Sequence, residues 1–405
     1  MGVELTDIFD TAVNNSLFKN KSVLQVRHTP ESIPHRDEQI KAIAGILASA
    51  LRRERPSNLF VYGKTGTGKT LSVQYVQNEL TKKANELGVD LRFEYLNCKL
   101  KRVADTEYRI LAALIRQLGG TIPETGLPTD RVWTKFIEMV DEKPQLIIFI
   151  FDEIDSAIKK MTDNFLYSLT RLNQELKNSQ ISIIGISNDI TFLENIDPRV
   201  RSSLGEEEFI FSPYNAIQLQ DILNERCVNA FKEGAVAEGV VAKCAAYAAR
   251  EHGDARRALD LLRIAGELSE RDGLEIVSED YIDLANRKME RDKILDIVES
   301  EPKQFQLVLA SILGLTRKNK EEGGPDILFT GDVFNHYQDL CLSTKTDILT
   351  QRRISDILAE IDMLGLINAR VISKGRHGRT REIRLSIPDN LLDKVDKILK
   401  TSLCL

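Results

Sequence analysis

Short apolar runs alternate with amphipathic segments in the first half of this 405-residue chain. Most of the runs consist of Ile, Leu, Val and Phe without polar alternation, which is typical of parallel strands covered on both faces. One amphipathic segment keeps Ile40, Ile43, Leu47 and Leu51 on a single helical face. The pattern predicts an α/β layered domain. Its predicted strands are 59–62, 91–96, 146–151, 181–186 and 209–211.

After Pro213 the strand-like runs stop, and the chain becomes rich in Ala, Leu, Arg and Glu. Three amphipathic segments predict helices over 215–231, 238–251 and 255–271. A fourth helix is expected to start near Ser278, because a hydroxyl cap followed by acidic residues complements a helix N-terminus. These residues are expected to form a small helical domain.

Pro302 marks a second break. The pattern beyond it predicts helices over 305–315, 331–342 and 351–364, then strands over 368–373 and 380–386. Three helices and a β-hairpin are the plan of a winged-helix domain. A loop is predicted over 318–324, and the predicted domains are 1–212, 213–300 and 301–405.

The composition narrows the functional classes. Hydrophobic residues make up 42% and charged residues 29% of the chain, which indicates a globular protein. The formal charge of −6 gives no global positive field, so a nucleic-acid surface must be a local patch. No apolar run approaches the roughly 20 residues of a membrane helix. Five cysteines without CxxC pairs argue against disulfides and zinc and favour a reducing, cytoplasmic compartment. No membrane partner is expected.

The strongest motif lies between a predicted strand and a predicted helix. It fits the phosphate-binding pattern GxxxxGK[ST] in the context that the pattern requires. The glycines let backbone N–H groups curl around phosphate oxygens, the lysine reaches the β- and γ-phosphates, and the final hydroxyl ligates Mg²⁺. The sequence therefore predicts a site for ATP or ADP with Mg²⁺. Its residues are Gly63, Lys64, Thr65, Gly66, Thr67, Gly68, Lys69 and Thr70.

Polar residues follow two further predicted strands. Asp152 and Glu153 end the run 146–151, at the edge where open α/β sheets place ligands. Asp152 is predicted to hold Mg²⁺ and Glu153 to polarise the attacking water; a helix cap is the alternative. Asn188 ends the next run and is predicted to orient that water or contact the γ-phosphate, the alternative being a turn residue.

Two arginine-bearing stretches are candidates for stabilising transition-state charge. Arg199 and Arg201 lie in DPRVRSS before the last predicted strand, and Arg256 lies in GDARR at the start of a helix in the helical domain. A guanidinium at a γ-phosphate accelerates transfer by about 10³–10⁵. The alternative for each stretch is a solvated basic helix end.

The predicted wing is locally basic in an acidic protein. Six Lys and Arg residues lie between 370 and 384 with one acid, and two glycines permit an exposed tip. Such a tip suits phosphates or a minor groove, where arginine is favoured. A solubilising hairpin and a protein-binding winged helix are the alternatives. The predicted DNA contacts of the wing are Lys374, Arg376, His377, Arg379 and Arg381. Those of the preceding helix are Arg352 and Arg353, at the N-terminal end that helix-turn-helix proteins direct at bases.

Together these motifs resemble the AAA+ ATPases, and with the winged helix the chain resembles the archaeal origin-recognition (Orc/Cdc-type) initiators of DNA replication. The resemblance covers nearly the whole chain. Its most specific segments are IPHRDEQI, VYGKTGTGKT, FIFDEID, ISND, DPRVRSSLG, SPYNAIQLQDILNER and HGDARRALDLLR.

The resemblance implies further residue roles. Pro34 and Arg36 would flank the adenine, and Tyr214 and Arg226 match other ATP contacts of the family. Arg256 fits the sensor position of the lid. A DNA-contacting insertion would fall near 100–118, with Lys101 and Arg102 as candidate contacts.

The family also implies a function: an ATP-dependent initiator that binds double-stranded origin DNA and helps recruit an MCM-type replicative helicase, with paralogous initiators as further partners. Slow ATP hydrolysis would act as a switch. The alternatives are an AAA+ motor or loader, of the Holliday-junction helicase or clamp-loader type, and an ATP-dependent winged-helix transcriptional regulator.

Overall fold

The computed structural model describes residues 16–25, 28, 30, 32–99, 106–123, 125–158, 161, 164–191, 196–204, 206–323, 325, 327–373 and 379–403. The chain divides into two compact units between Ile282 and Asp283. The first unit contains a parallel sheet and a group of helices, and the second contains helices with a small antiparallel sheet.

The sheet of the first unit has five parallel strands in the order β2-β3-β4-β1-β5. Strands β1, β3 and β4 are central, and their residues are almost all buried. This burial on both faces explains the apolar runs in the sequence. The strands are β1 Asn58–Gly63, β2 Leu91–Asn97, β3 Leu146–Asp152, β4 Gln180–Ser187 and β5 Glu206–Phe211.

Helices cover both faces of this sheet. One face packs against α1 and α2 through a core that includes Ile43, Val73 and Ile150. The other face packs against α3, α4 and α6 through Ile110, Phe136 and Phe149. These helices are α1 Asp37–Leu47, α2 Lys69–Leu87, α3 Glu107–Gln117, α4 Thr129–Val140, α5 Ile154–Ile158, α6 Asn164–Arg171 and α7 Pro198–Leu204.

The helical part of the first unit follows β5. It contains α8 Ala216–Ala230, α9 Val240–Arg250 and α10 Ala255–Arg271. A segment near the N-terminus packs on it: the ring of Phe18 lies 4.5 Å from that of Phe231. The backbone of Leu17 donates to the Glu270 carboxylate at 2.7 Å. The next helix, α11 Glu279–Ser300, contains the division between the two units.

The second unit is built around α12 Lys303–Glu321, which is buried along most of its length. Its three-stranded sheet has the order β6-β8-β7, and all pairs are antiparallel. The core joins the sheet to the helices through residues such as Leu309, Ile357 and Ile383. The other elements are β6 Leu328–Phe329, α13 Thr330–Ser343, α14 Gln351–Met363, β7 Ile367–Ser373, β8 Arg379–Leu385 and α15 Asp389–Leu403.

The predicted α/β class and the winged-helix plan are confirmed by these elements. The loop predicted at 318–324 is wrong over its first residues, because α12 continues to Glu321. Lys and Glu are good helix formers, and the helix ends only where Gly323 takes a positive φ of 67°. The sequence pattern also missed β6 and α15.

Candidate nucleotide site and basic surface

A cavity of about 440 Å³ opens at the carboxyl edge of the parallel sheet. It lies within the first unit and joins the phosphate loop, the ends of β2, β3 and β4, and helices α8 and α10. Most of the predicted nucleotide residues therefore meet at one place. Those that line the cavity are Pro34, Thr65, Gly66, Thr67, Gly68, Lys69, Thr70, Asp152, Glu153, Asn188, Tyr214, Arg226 and Arg256.

The phosphate loop needs glycine at two positions where other elements approach. Gly66 has φ 73°, and a Cβ there would lie 1.7 Å from the Asp254 carboxylate. Gly68 has φ 88°, and a Cβ there would lie 2.9 Å from the Tyr214 hydroxyl. Left-handed backbone and close packing both exclude larger residues. The loop is thus shaped by its own turn and by the helical part that packs on it.

Lys69 is held by three protein oxygens. Its ammonium donates to the carbonyls of Gly63 at 2.7 Å and Lys64 at 2.8 Å, and to the amide oxygen of Asn188 at 2.9 Å. Burial lowers the pKa of Lys69 to about 8, although the nearby Asp152 carboxylate opposes this change. A buried cation at the start of α2 is suited to binding phosphate.

The Asp152 carboxylate is oriented by three donors. Thr70 Oγ1 donates to Asp152 Oδ2 at 3.0 Å, and Tyr95 Oη donates to the same oxygen at 2.6 Å. The backbone N–H of Glu153 donates to Oδ1 at 3.0 Å. The predicted pair of Mg²⁺ ligands, Thr70 and Asp152, is therefore in direct contact.

Glu153 differs from its neighbour in both backbone and partners. Its φ is 53°, a strained value for a residue that is not glycine. Its Oε2 is buried without a hydrogen-bond partner among the described residues. The Lys99 ammonium lies 3.6 Å from that oxygen. Glu153 lines the cavity, and its Oε2 there is available to accept a hydrogen bond.

Asn188 lies beside the phosphate loop, as expected of a polar residue at the end of β4. Its backbone N–H donates to Asp155 Oδ1 at 3.3 Å, and Ser187 Oγ donates to the same oxygen at 3.0 Å. Asp155 therefore holds the end of β4 in place. Asp155 lies within α5, which begins at Ile154.

Arg36 lies behind the phosphate loop and does not line the cavity. It is 4% exposed, and its guanidinium stacks over the Tyr214 ring at 4.0 Å. It donates to the carbonyls of Thr67 at 3.0 Å and Ser212 at 2.6 Å. Lys64 also lies outside the cavity, with its ammonium 3.4 Å from His252 Nδ1. Arg36 thus fixes the loop relative to the chain that follows β5.

The arginines divide into two groups. Arg256 lies at the start of α10 and lines the cavity, and its charge contributes to the lowered pKa of Lys69. Arg199 and Arg201 lie on α7 and do not line it. Arg199 pairs with Asp197 at 2.8 Å, and Arg201 lies 3.8 Å from Glu208. Both are exposed, at 84% and 49% of the side chain.

The second unit carries the described part of the predicted basic surface. Arg352 and Arg353 are exposed in the first turn of α14, where the Thr350 hydroxyl caps the helix. Arg381 lies on β8, and its N–H donates to Thr330 Oγ1 at 3.2 Å. Five other predicted contacts lie wholly outside the described residues: Lys101, Arg102, Lys374, Arg376 and His377. The side chain of Arg379 also lies outside them.

Comparison with known families agrees with this organisation. Residues 32–184 match the AAA ATPase domain family, residues 220–287 match the Cdc6 AAA+ ATPase-type lid domain, and residues 296–395 match the CDC6 C-terminal winged-helix domain. The ORC1-type DNA replication protein 1 of Methanosarcina mazei is 49% identical over 373 residues, which cover 92% of this chain and 88% of that protein. This chain belongs to the ORC1-type DNA replication protein family.

Other members show the same extent of similarity. The ORC1-type protein of Pyrococcus abyssi is 48% identical over 375 residues, covering 92% of this chain and 88% of that protein. The solved structure of the Aeropyrum pernix ORC1 protein in complex with DNA has a TM-score of 0.83 and 40% identity, covering 95% of this chain and 97% of that chain. The predicted AAA+ core, lid and winged helix are therefore confirmed.

Membership of the AAA ATPase family implies nucleotide binding and supports ATPase activity in this ORC1-type protein. Among the described helices, none combines the length and the apolar character needed to cross a membrane.

The donor set at Thr70 and Asp152 fits Mg²⁺. Both groups offer oxygen, which hard cations prefer, and Mg²⁺ is commonly held by one or two protein groups together with phosphates. Within the described residues no cluster of three or more His, Cys, Asp or Glu side chains is arranged for a metal. A cation bound by Thr70 and Asp152 would take its further ligands from the phosphates of a nucleotide.

Several residues of the cavity were not predicted from the sequence. His28 and Ile33 line it from the N-terminal segment, and Ile222 and Leu259 line it from the helical part. Tyr95 was missed because a tyrosine in a strand usually indicates only packing. The period-two alternation that places it on the same face as Asn97 was the available signal.

Proposed function

We propose that this ORC1-type protein is a nucleotide-gated initiator that binds double-stranded origin DNA and helps to recruit an MCM-type replicative helicase. Slow, Mg²⁺-dependent hydrolysis of ATP acts as the switch between its ATP-bound and ADP-bound states. The single observation that carries the proposal is the cavity itself, which joins the phosphate loop to the lid residues Arg226 and Arg256. A ligand that contacts both parts stabilises one arrangement of them over others.

Slow hydrolysis is supported by the position of the arginines. The chain's own Arg199 and Arg201 do not line its cavity, so an isolated protomer lacks their charge at the γ-phosphate. An arginine finger contributes about 10³–10⁵ to the rate. We infer that one of them acts in the cavity of a neighbouring protomer, which can be another copy or a paralogue.

DNA binding is supported by local charge and by similarity. Arg352 and Arg353 are exposed at the N-terminal end of α14, the end that helix-turn-helix proteins direct at bases. The Aeropyrum pernix ORC1 relative has been solved in complex with DNA. An acidic protein with this local basic group would hold DNA through a limited number of phosphate contacts, and its affinity would depend on salt.

Footprinting on the host chromosome, with ATP, with ADP and without nucleotide, tests the proposal. We expect protection of repeated sites at a replication start, with an extent that changes with the nucleotide. The Lys69→Ala variant should give the same footprint in all three conditions. Protection spread over promoters would instead favour a transcriptional regulator. A closed ring that hydrolyses ATP processively when DNA is added would favour a motor.

Helicase recruitment has its own test. The purified MCM-type helicase of the host should be retained on bead-bound origin DNA only when this protein is present. DNA from which the footprinted sites have been removed is the control. Equal retention on both DNAs, or retention without the protein, would contradict this part of the proposal.

A further inference from the structure

Strand β2 brings a phenol to the predicted metal ligand. Tyr95 lies two residues before the end of β2, which pairs with β3 so that Asn97 is opposite Asp152. Tyr95 also packs against the core that contains Ile150 of β3 and Val73 of α2. Since side chains alternate along a strand, Tyr95, Asn97 and Asp152 are directed to the face that bears the phosphate-loop helix.

The contact is short and charged. Tyr95 Oη donates to Asp152 Oδ2 at 2.6 Å, within the range of O–H···O⁻ hydrogen bonds, which are stronger than neutral ones. The Thr70 hydroxyl reaches the same oxygen at 3.0 Å. Two hydroxyls thus converge on one oxygen, and the carboxylate is turned towards Thr70.

The position of Tyr95 is itself fixed. Its carbonyl accepts a hydrogen bond from Gln117 Nε2 at 2.8 Å, and the Gln117 carbonyl accepts one from Arg92 Nη2 at 2.7 Å. These contacts tie β2 to the end of α3. These hydrogen bonds therefore hold the edge strand β2 in place where the Tyr95 hydroxyl meets Asp152.

We infer that Tyr95 is a positioning residue for the cation site: its hydroxyl orients the Asp152 carboxylate so that this group and Thr70 can bind Mg²⁺ together with a nucleotide. Partners that orient a metal ligand commonly contribute about 10- to 100-fold in metal affinity. Without the hydroxyl the carboxylate would have more orientations, and fewer of them would face the cation. The inference rests on the proposed nucleotide site.

The rival interpretation is that Tyr95 only packs, its hydroxyl taking the nearest acceptor. The two interpretations differ for Tyr95→Phe, which keeps the ring and its packing and removes only the donor. A packing role predicts no change in metal affinity. A positioning role predicts weaker metal binding with an unchanged affinity for nucleotide in the absence of metal.

The test uses Mn²⁺ as a probe for the cation site in the full chain. Binding of Mn²⁺ to the ADP-loaded protein is followed by the loss of the electron paramagnetic resonance signal of free Mn²⁺. ADP affinity is measured separately in EDTA. Tyr75→Phe is the matched control, because Tyr75 lies on α2, is half-buried and does not line the cavity.

For Tyr95→Phe we expect Mn²⁺ affinity to fall about 10- to 100-fold while ADP affinity in EDTA stays within about twofold. The Mg²⁺ concentration for half-maximal hydrolysis should rise by a similar factor, and Tyr75→Phe should match the unsubstituted protein. Unchanged Mn²⁺ affinity would overturn the inference, as would an equal loss of ADP affinity in EDTA. If the unsubstituted protein bound no ADP either in EDTA or with Mg²⁺, the nucleotide site itself would fail, and the inference with it.

Discussion

The ammonium of Lys69 donates a hydrogen bond to the amide oxygen of Asn188 at 2.9 Å, across 119 positions of the chain. With the carbonyls of Gly63 and Lys64, this oxygen satisfies all three donors of the lysine. The contact joins the phosphate loop to the end of β4. A phosphate that binds Lys69 must therefore displace one or more of these three oxygens.

Replacement of Lys69 by alanine should remove nucleotide binding. The substitution deletes a buried cation that would make charge-assisted hydrogen bonds to phosphate, so ATP affinity should fall by about 100-fold or more. Equilibrium binding of a fluorescent ATP analogue measures the change. Lys83→Ala is the control, since Lys83 lies on α2, is exposed and does not line the cavity. Retention of ATP by Lys69→Ala would refute the site.

The affinity for ATP should fall as the pH rises above about 8, because burial lowers the pKa of Lys69 to about 8 and the neutral amine binds phosphate poorly. The loss approaches tenfold per pH unit. In the nucleotide-free protein, a rise in pH has the opposite effect on the contribution of Lys69 to folding stability. The folded pKa lies below the ordinary 10.5, so the unfolded state binds more protons between these values, and the contribution of Lys69 to stability rises with pH.

Two measurements check this pH dependence. Titrations with ATP between pH 7 and 9.5 give the slope, and calorimetry in buffers of different ionisation enthalpy detects the proton taken up on binding. In Lys83→Ala, which keeps Lys69, both effects should persist. An affinity for ATP that stayed constant up to pH 9.5 would show that the lysine remains charged throughout.

Glu153→Gln should bind ATP and hydrolyse it far more slowly. Glutamine keeps the size of the side chain and removes the basic oxygen, and a general base commonly contributes about 10²–10⁴ to the rate. Single-turnover hydrolysis of radiolabelled ATP separates the chemical step from product release. Near-normal turnover would remove Glu153 from the role of base.

The α7 arginines should affect hydrolysis without affecting binding. Because neither lines its own cavity, Arg199→Ala and Arg201→Ala should each leave ATP affinity within about twofold of the unsubstituted value. The variant that lacks the acting arginine should lose the increase in ATPase rate with protein concentration. If neither variant lost that increase, neither arginine would act across an interface.

The wing is expected to bind DNA phosphates. Arg376→Ala with Arg379→Ala should weaken DNA binding and reduce the slope of log K against log salt by about 0.9 for each phosphate that the protein no longer neutralises. Fluorescence anisotropy over a salt series measures this slope. Lys394→Ala with Lys397→Ala removes the same charge from exposed positions of α15 and is the control. An unaltered slope would mean that the wing does not touch DNA.

The strand runs and the phosphate loop were predictable because their signals are local. Five predicted strands correspond to β1–β5 within a few residues, since burial on both faces requires consecutive apolar side chains. The short β6 was missed, because two residues carry too little pattern. The acidic start of β5, Glu206–Glu208, was also missed, because this edge strand pairs with β1 alone.

The sequence by itself determined which residues are predicted to bind phosphate, because a glycine-rich turn, a lysine and a hydroxyl must be contiguous to form one loop. Only the tertiary structure decided what holds that loop and its acidic partner. Arg36 reaches the Thr67 carbonyl, and Tyr95 reaches Asp152 from a neighbouring strand. Such contacts depend on strand order and helix packing, which place distant residues together and leave no spacing in the chain to reveal them.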